Sequence, residues 1–252
     1  MIDTESKLAH PPIVEAVLDF ECDLPPGQYV ASLEGRARDC FSDHYPTFQT
    51  QFVQVHQIAA KPGESPEVSV QHNVQALQFL QDDGKQLVQV RMEGFSFNRL
   101  APYESLDDYL PEIERAWRLY VGLAKPIRIR EIRMRYINRI FLPMVDGQIE
   151  LEEYLNVAPR LPLENTTFVG FLNQHAAIEA ETGNRLNIVL TTQAPEGHKL
   201  PLIFDNSVVS TDPGQPEDWP WILAKILVLR DLKNRIFKRT LTEKCLNLFR
   251  QP

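Results

Sequence analysis

Apolar and polar residues alternate along Ile13–Cys22, where every second position from Val14 onward is apolar and Glu or Asp occupies three of the positions between. This pattern is typical of a strand with one buried face. Alternation, or runs of β-branched and aromatic residues, predicts the remaining strands. They are Phe48–Ala60, Val68–Val74, Leu87–Met92, Phe95–Arg99, Ile127–Leu142, Phe168–Glu181, Leu186–Thr192 and Leu200–Ser210.

Apolar residues at intervals of three and four predict two long helices. The first covers 105–124, where Ser105 and Asp108 form a start like a capping box and Pro126 follows the end. The second begins after Asp218 and extends to about Arg239. Shorter helices are predicted at Val30–Tyr45, at Leu151–Val157, and from Thr240 (with Glu243) to about Phe249.

Glycine-containing turns at 82–85, 182–184 and 196–199 connect consecutive strands, and the segment 61–66 reads as a loop. Such short connections favour antiparallel pairing. We therefore expect an α+β fold, with one or two mostly antiparallel sheets and long helices on one face.

The two halves of the chain, 1–126 and 127–252, follow a similar order of strand, helix, three or more strands, and helix. Two interpretations stay open. Any mostly antiparallel α+β chain can show this order by chance, or an internal duplication can relate the halves by a pseudo-two-fold axis. In either case we expect one compact unit rather than two independent domains.

Composition limits the class of protein. The chain has 252 residues, 43% of them hydrophobic, and a net charge of −8. This overall charge argues against general nucleic-acid binding. No apolar run is long enough to span a bilayer, and the polar N-terminus does not resemble a secretory signal. With three widely spaced cysteines and no CxxC pair, we expect a cytoplasmic protein without disulfides.

The most distinctive chemical feature is a basic strand, Ile127–Leu142, which carries five arginines and one acid, Glu131. Its apolar positions change parity at Arg130–Glu131. A β-bulge there would restore one apolar face. It would also place four arginines together on the opposite face, namely Arg128, Arg130, Arg133 and Arg135.

Three interpretations of this arginine cluster stay open. The guanidinium groups can pair across strands with Glu15, Asp19 or Glu21. They can bind an anionic ligand or nucleic acid, or they can contact the acidic surface of another protein. Tyr136 and Asn138, further along the strand, would then pack or bond at the edge of the site.

A second group of candidate residues lies at the junction between the strand Phe95–Arg99 and the first long helix. Arg99 and Tyr103 are positioned there, and such junctions often carry function. The alternative is that both residues only attach the helix to the sheet. The full set of candidate ligand-binding residues is Arg99, Tyr103, Arg128, Arg130, Arg133, Arg135, Tyr136 and Asn138.

The sequence contains no spacing typical of metal ligands and no recognised catalytic motif. We therefore predict no metal, no cofactor, and a non-enzymatic binding or adaptor module for an anionic small molecule or acidic partner. The competing hypothesis is an enzyme that acts on a phosphorylated or nucleotide-like substrate, with His72, His175 or an acid transferring protons. Basic residues along the last long helix read as a solvated face, and self-association as a homodimer is a further expectation.

Several short stretches together resemble a known family. They are 10–16 (HPPIVEA), 97–103, 133–138 (RMRYIN), and Phe237 with 241–243. The family is a sporadically distributed group of prokaryotic proteins of about this length, whose function is uncharacterised. The resemblance implies a single full-length unit in a bacterial cytoplasm, and it implies no catalytic residue or cofactor.

Overall fold

The computed structural model describes residues 8–59, 67–160 and 169–250. The predicted loop 61–66 and the predicted strand start at Phe168 lie outside these ranges. The strands are β1 (Ile13–Asp23), β2 (Thr47–Ala59), β3 (Glu67–Leu80), β4 (Gln86–Arg91), β5 (Gly94–Leu100), β6 (Arg128–Pro143), β7 (Leu172–Ile178), β8 (Arg185–Thr192) and β9 (Lys199–Ser210). The helices are α1 (Glu34–Phe41), α2 (Leu106–Ala124), α3 (Trp219–Thr240) and α4 (Glu243–Asn247).

All the strands belong to one antiparallel sheet, in the order β2-β3-β4-β5-β1-β6-β9-β8-β7. The predicted α+β class with an antiparallel sheet is therefore confirmed. β1 and β6 occupy the middle of the sheet. In each half the chain passes from this central strand to an outer edge, and the strands that follow, β2 to β5 or β7 to β9, return in order to the centre. The two halves of the sequence consequently meet along the β1–β6 seam.

The main core lies where the long helices meet the sheet. Trp117 of α2 stacks on Phe20 of β1, with ring centroids 4.4 Å apart, and its ring also contacts Phe95 of β5. Phe237 of α3 stacks on Phe204 of β9 at 5.7 Å with nearly parallel rings. Fully burying aromatic side chains of this size contributes about 2–3 kcal/mol each.

Both long helices begin with the caps that the sequence favours. The Ser105 side chain accepts a hydrogen bond from the backbone N–H of Asp108, and Asp218 accepts one from Trp221. Each cap satisfies a backbone donor that the first helical turn leaves without a partner.

Three of the predicted helices differ from the structure. The segment 30–45 forms a 3₁₀ turn followed by the short helix α1, and 151–157 forms only a 3₁₀ turn at Leu151–Glu153. The last helix is capped by Thr242 rather than Thr240, because Thr240 still belongs to α3 and is buried. Isolated short helices gain little from their own hydrogen bonds, so packing decides where they begin and end.

Candidate functional site

The basic strand β6 contains the predicted bulge. Glu131 pairs with Glu21 of β1 while Ile129 pairs with Cys22, so Arg130 is an extra residue in the ladder. Ile129 and Ile132 are consequently both fully buried. The four predicted arginines (Arg128, Arg130, Arg133 and Arg135) lie on the opposite, solvent-accessible side. This part of the sequence prediction is confirmed.

Each of these four arginines has a carboxylate partner within the chain. Arg128 pairs with Asp23, Arg130 approaches Asp23 at 3.3 Å, and Arg133 lies 3.3 Å from Glu21.

Arg135 makes a bidentate pair with Asp205 of β9, with nitrogen–oxygen distances of 2.6 to 3.0 Å. The hydrogen bond to Asp205 raises the pKa of Arg135. Cross-strand ion pairing is therefore what the structure shows for the basic strand, and an external anion would have to compete with these carboxylates.

Asp19 of β1 is a buried acidic residue on the same side of the sheet as the four arginines. Its carboxylate lies 3.0 Å from Arg91 of β4. Burial raises the pKa of Asp19, while the positive charges of Arg91, Arg133 and Arg135 act in the opposite direction. A carboxylate held among guanidinium groups balances them internally, which again favours a structural role for this surface.

Tyr136 and Asn138 lie on the other side of β6 from the arginines, where both are buried. The candidate residues proposed from the sequence are therefore divided between two faces of the sheet. Tyr136 and Asn138 instead border a cavity of about 380 Å³, which we call the α3 cleft. Its walls come from α3, α4, the segment 8–13, the residues that precede and begin α2, and β6.

A pair of tyrosines forms one wall of the α3 cleft. The hydroxyl oxygens of Tyr103 and Tyr136 are 2.7 Å apart, and the two rings meet edge to face at 5.4 Å. Burial, together with the neighbouring Tyr136, raises the pKa of the Tyr103 hydroxyl. The Tyr103 phenol therefore stays protonated at neutral pH, and one of the two hydroxyls donates its proton to the other.

Asn138 is held in place beside this pair. Its side-chain amide nitrogen donates to the backbone carbonyls of Phe204, at 3.0 Å, and of Tyr136. Asn206, opposite Tyr136 in the ladder, donates to the carbonyl of Lys233 at 3.0 Å and so ties α3 to the sheet. The polar wall and the helix above it are thus fixed relative to each other.

Four basic side chains line the α3 cleft, against two acidic ones, Glu104 and Asp107. The Nζ of Lys233 lies 4.0 Å from the centre of the Tyr136 ring. Arg230 lies 2.9 Å from Asp107, and Arg250 is 2.7 Å from Glu243. The basic residues are Arg230, Lys233, Lys238 and Arg250.

The rest of the cleft lining is largely apolar. Pro11 and Ile13 contribute from the N-terminal segment, Leu106 from α2, and Phe237 and Leu246 from α3 and α4. A cavity of a few hundred Å³ with an apolar lining and a few convergent polar groups is the usual form of a small-molecule site.

Arg99 lies close to the α3 cleft but outside it. Its guanidinium carbon is 5.2 Å from the centre of the Tyr109 ring, and its Nε is buried without a hydrogen bond among the described residues. Tyr103, Tyr136 and Leu106 border both the cleft and a void of about 20 Å³ that Arg99 lines. The structure thus brings Tyr103, Tyr136 and Asn138 together in the cleft and leaves Arg99 behind its wall.

The sequence did not point to the basic residues of α3 as part of a site. Arg230, Lys233 and Phe237 recur at helical spacing, so they share one stripe of the helix. A stripe that mixes cations with a large aromatic residue is a weak signal, because it also describes an ordinary half-buried helix face.

Arg133 and His175, two of the residues considered for catalysis, lie on opposite faces of the sheet. His175 aligns through β8 and β9 with Tyr136, whereas Arg133 lies on the opposite face of the sheet. The side chain of His72 lies outside what the structure describes. Within the described residues, no group of three or more His, Cys, Asp or Glu side chains could hold a metal ion.

Comparison with protein-family models, curated proteins and solved structures finds no match for this chain. The family resemblance of the sequence motifs therefore stays a prediction. Over the described part of the chain, no helix has both the length and the apolar character required to cross a bilayer.

Proposed function

We propose that this chain is a non-enzymatic binding module that holds an anionic small molecule in the α3 cleft. The observation that carries this proposal is the convergence of four basic side chains on a cavity whose wall is a hydrogen-bonded tyrosine pair. The basic residues favour a negatively charged group, and the hydrogen-bonded tyrosine pair gives the cavity a polar wall beside them. The apolar lining suits the uncharged body of the same ligand.

The basic strand supports ligand binding less well than the cleft does. Arg128, Arg130, Arg133 and Arg135 each face a carboxylate of a neighbouring strand. Arg230 and Arg250 of the cleft have carboxylate partners as well, so ion pairing alone does not distinguish the two surfaces. The cleft differs because it is a cavity with an apolar lining, whereas the basic strand lies on a solvent-accessible side of the sheet. We therefore assign the basic strand a structural role and the cleft the binding role.

The proposal includes a pseudo-two-fold relation between the halves 1–126 and 127–252, with α2 and α3 over the same side of one sheet. Two features of the strand order support it. β5 and β9 flank the central pair β1–β6, and each of them is followed in the chain by a long helix. The side that bears the arginines would then stay open. The three unpaired cysteines fit a reducing, cytoplasmic setting.

A thermal-shift screen with inorganic phosphate, pyrophosphate, AMP and citrate at low ionic strength tests the binding proposal. At a hundredfold excess over Kd, a bound anion should raise the Tm by roughly 5 to 10 °C. The substitution Arg250→Gln should reduce the shift, because it removes a cation from the cleft.

Arg118→Gln is the matched control, since Arg118 pairs with Glu114 on its own helix and does not line the cleft. It should leave the shift unchanged. If no anion raises the Tm, or if both variants lose the shift equally, the cleft is not an anion site.

The same anions also test the alternative hypothesis that the protein is an enzyme. If a phosphorylated or nucleotide-like compound binds and is also converted to a product, the protein is an enzyme rather than a binding module. Tyr103→Phe should then lower the rate of conversion, because it removes a hydroxyl from the wall of the site. We expect binding without conversion.

A further inference from the structure

β7 forms one edge of the sheet, and β8 is the only strand that pairs with it among the described residues. The strand runs Leu172–Ile178, and its residues are exposed on both faces except for the half-buried Asn173. Leu172 and Ile178 are 70% and 69% exposed. Within the described part of the chain, these two large aliphatic side chains at the ends of the strand are therefore mostly left in contact with solvent.

This edge also lacks the features that usually protect an edge strand. Its sequence, LNQHAAI, contains no proline, lysine, arginine or acid, and its pairing with β8 is regular throughout. The opposite edge strand, β2, contains a bulge at Gln51–Phe52. An unprotected edge presents a row of backbone donors and acceptors, which readily pair with another strand.

We propose that β7 pairs antiparallel with β7 of a second copy of this chain, centred on His175. In that register Leu172 lies opposite Ile178 of the second copy, and Ile178 opposite its Leu172. All four aliphatic side chains lie on the same face, because residues 172 and 178 are an even number of positions apart. The central His175 residues face each other on the other side of the seam.

Self-complementarity is the reason for assigning the edge to a second copy rather than to a different protein. The strand contains no Asp, Glu, Lys or Arg, so two copies meet without repulsion between such side chains. Its exposed aliphatic residues are symmetric about the centre, which matches a two-fold axis. A seam of one strand from each copy is small for a stable interface, so the dimer should be weak and concentration-dependent.

Sedimentation velocity across micromolar to millimolar concentrations should show a monomer–dimer equilibrium. Leu172→Asp should shift it to monomer, and so should Ile178→Lys. Mixing these two variants should restore dimerisation, because the new aspartate of one copy then lies opposite the new lysine of the other. Phe52→Asp on β2, where Phe52 is also exposed, should leave the equilibrium unchanged. Because the substituted positions are exposed, each monomer should keep its fold.

Disulfide trapping tests the register directly, in a Cys40→Ser background that removes the partly exposed native cysteine. His175→Cys alone should give a covalent dimer, since directly opposite residues in antiparallel strands have Cα atoms about 4.5 to 5.5 Å apart. Asn173→Cys and Ala177→Cys should cross-link with each other when mixed, and much less when alone. A monomer at every concentration, or cross-links without this pattern, would overturn the proposed dimer.

Discussion

At the scale of single residues, the position of each charge relative to its neighbours decides which surface can bind. Arg135 donates hydrogen bonds to Asp205 over distances of 2.6 to 3.0 Å, on a solvent-accessible side of the sheet. Lys233 lies over the Tyr136 ring, at the wall of the α3 cleft. Both sites contain cations, and the cavity beside Lys233 is the reason for the different roles we assign to them.

Glu112 of α2 provides a test of the residue-scale interactions that join α2 to the segment between α1 and β2. Its carboxylate accepts a hydrogen bond from the Tyr45 hydroxyl at 2.7 Å and two from Arg115. Burial alone would raise the pKa of Glu112, but the bonds from Arg115 and Tyr45 lower it below its ordinary value. A lowered pKa in the folded state stabilises the protein above the unfolded pKa, and this contribution is lost as pH falls through the folded pKa.

We therefore expect Glu112→Gln to destabilise the protein by about 1 kcal/mol at neutral pH, the usual size for a partly exposed charged hydrogen bond. The difference in Tm between wild type and variant should shrink as pH falls below about 4. Thermal unfolding followed by circular dichroism over this range measures it. A difference that stays constant with pH would show that Glu112 acts by packing rather than by charge.

At the scale of elements, hydrophobic periodicity predicted most strands and both long helices, because those segments are long enough for one buried face to show. The bulge in β6 was also predictable, since only an extra residue reconciles the burial of Ile129 with that of Ile132. The short helices were not predictable. Thr240 and Thr242 both suit a helix start, and only the length of α3 determines that Thr242 is the cap.

Gly94 lies where the backbone of β5 comes very close to that of β1. It has a φ of +144°, and a Cβ at this position would lie 1.9 Å from the carbonyl oxygen of Phe20. Gly94→Ala should therefore destabilise the protein by several kcal/mol, because the sheet backbone itself would have to move. Urea unfolding measures the change.

Gly35→Ala is the matched control, because Gly35 lies in α1 with open space around the position of a Cβ. It should be neutral, or stabilising by up to about 1 kcal/mol. If both variants lose the same amount of unfolding free energy, the tight contact at position 94 is not the reason that a glycine is required there.

At the scale of the whole molecule, the α3 cleft could not be read from the sequence, because its walls are far apart in the chain. The residues that line the cleft come from 8–13, 103–107, β6, α3, α4 and Arg250, which are brought together only by the tertiary fold. Tyr103, Tyr136 and Asn138 were identified as candidates, but they were grouped with arginines that lie on other surfaces. Sequence patterns show which face of a strand is buried, but they do not show which distant segment covers that face.

The ion pairs of the basic strand have a consequence for the whole molecule as well. Arg128, Arg130 and Arg133 interact with Asp23 and Glu21 across the β1–β6 seam. This seam is where the two halves of the chain join. The positive charge that stands out in the sequence is therefore offset by acids within the chain, several of them on the strand from the other half.

Isothermal titration of the anion that raises the Tm most, with wild type, Arg250→Gln and Arg135→Gln, tests the central claim most directly. We expect Arg250→Gln to weaken binding about tenfold or more, the loss typical of one charged hydrogen bond. Arg135→Gln should bind like wild type, although its Tm is lower. Full affinity in Arg250→Gln together with lost affinity in Arg135→Gln would contradict the cleft and return the binding site to the basic strand.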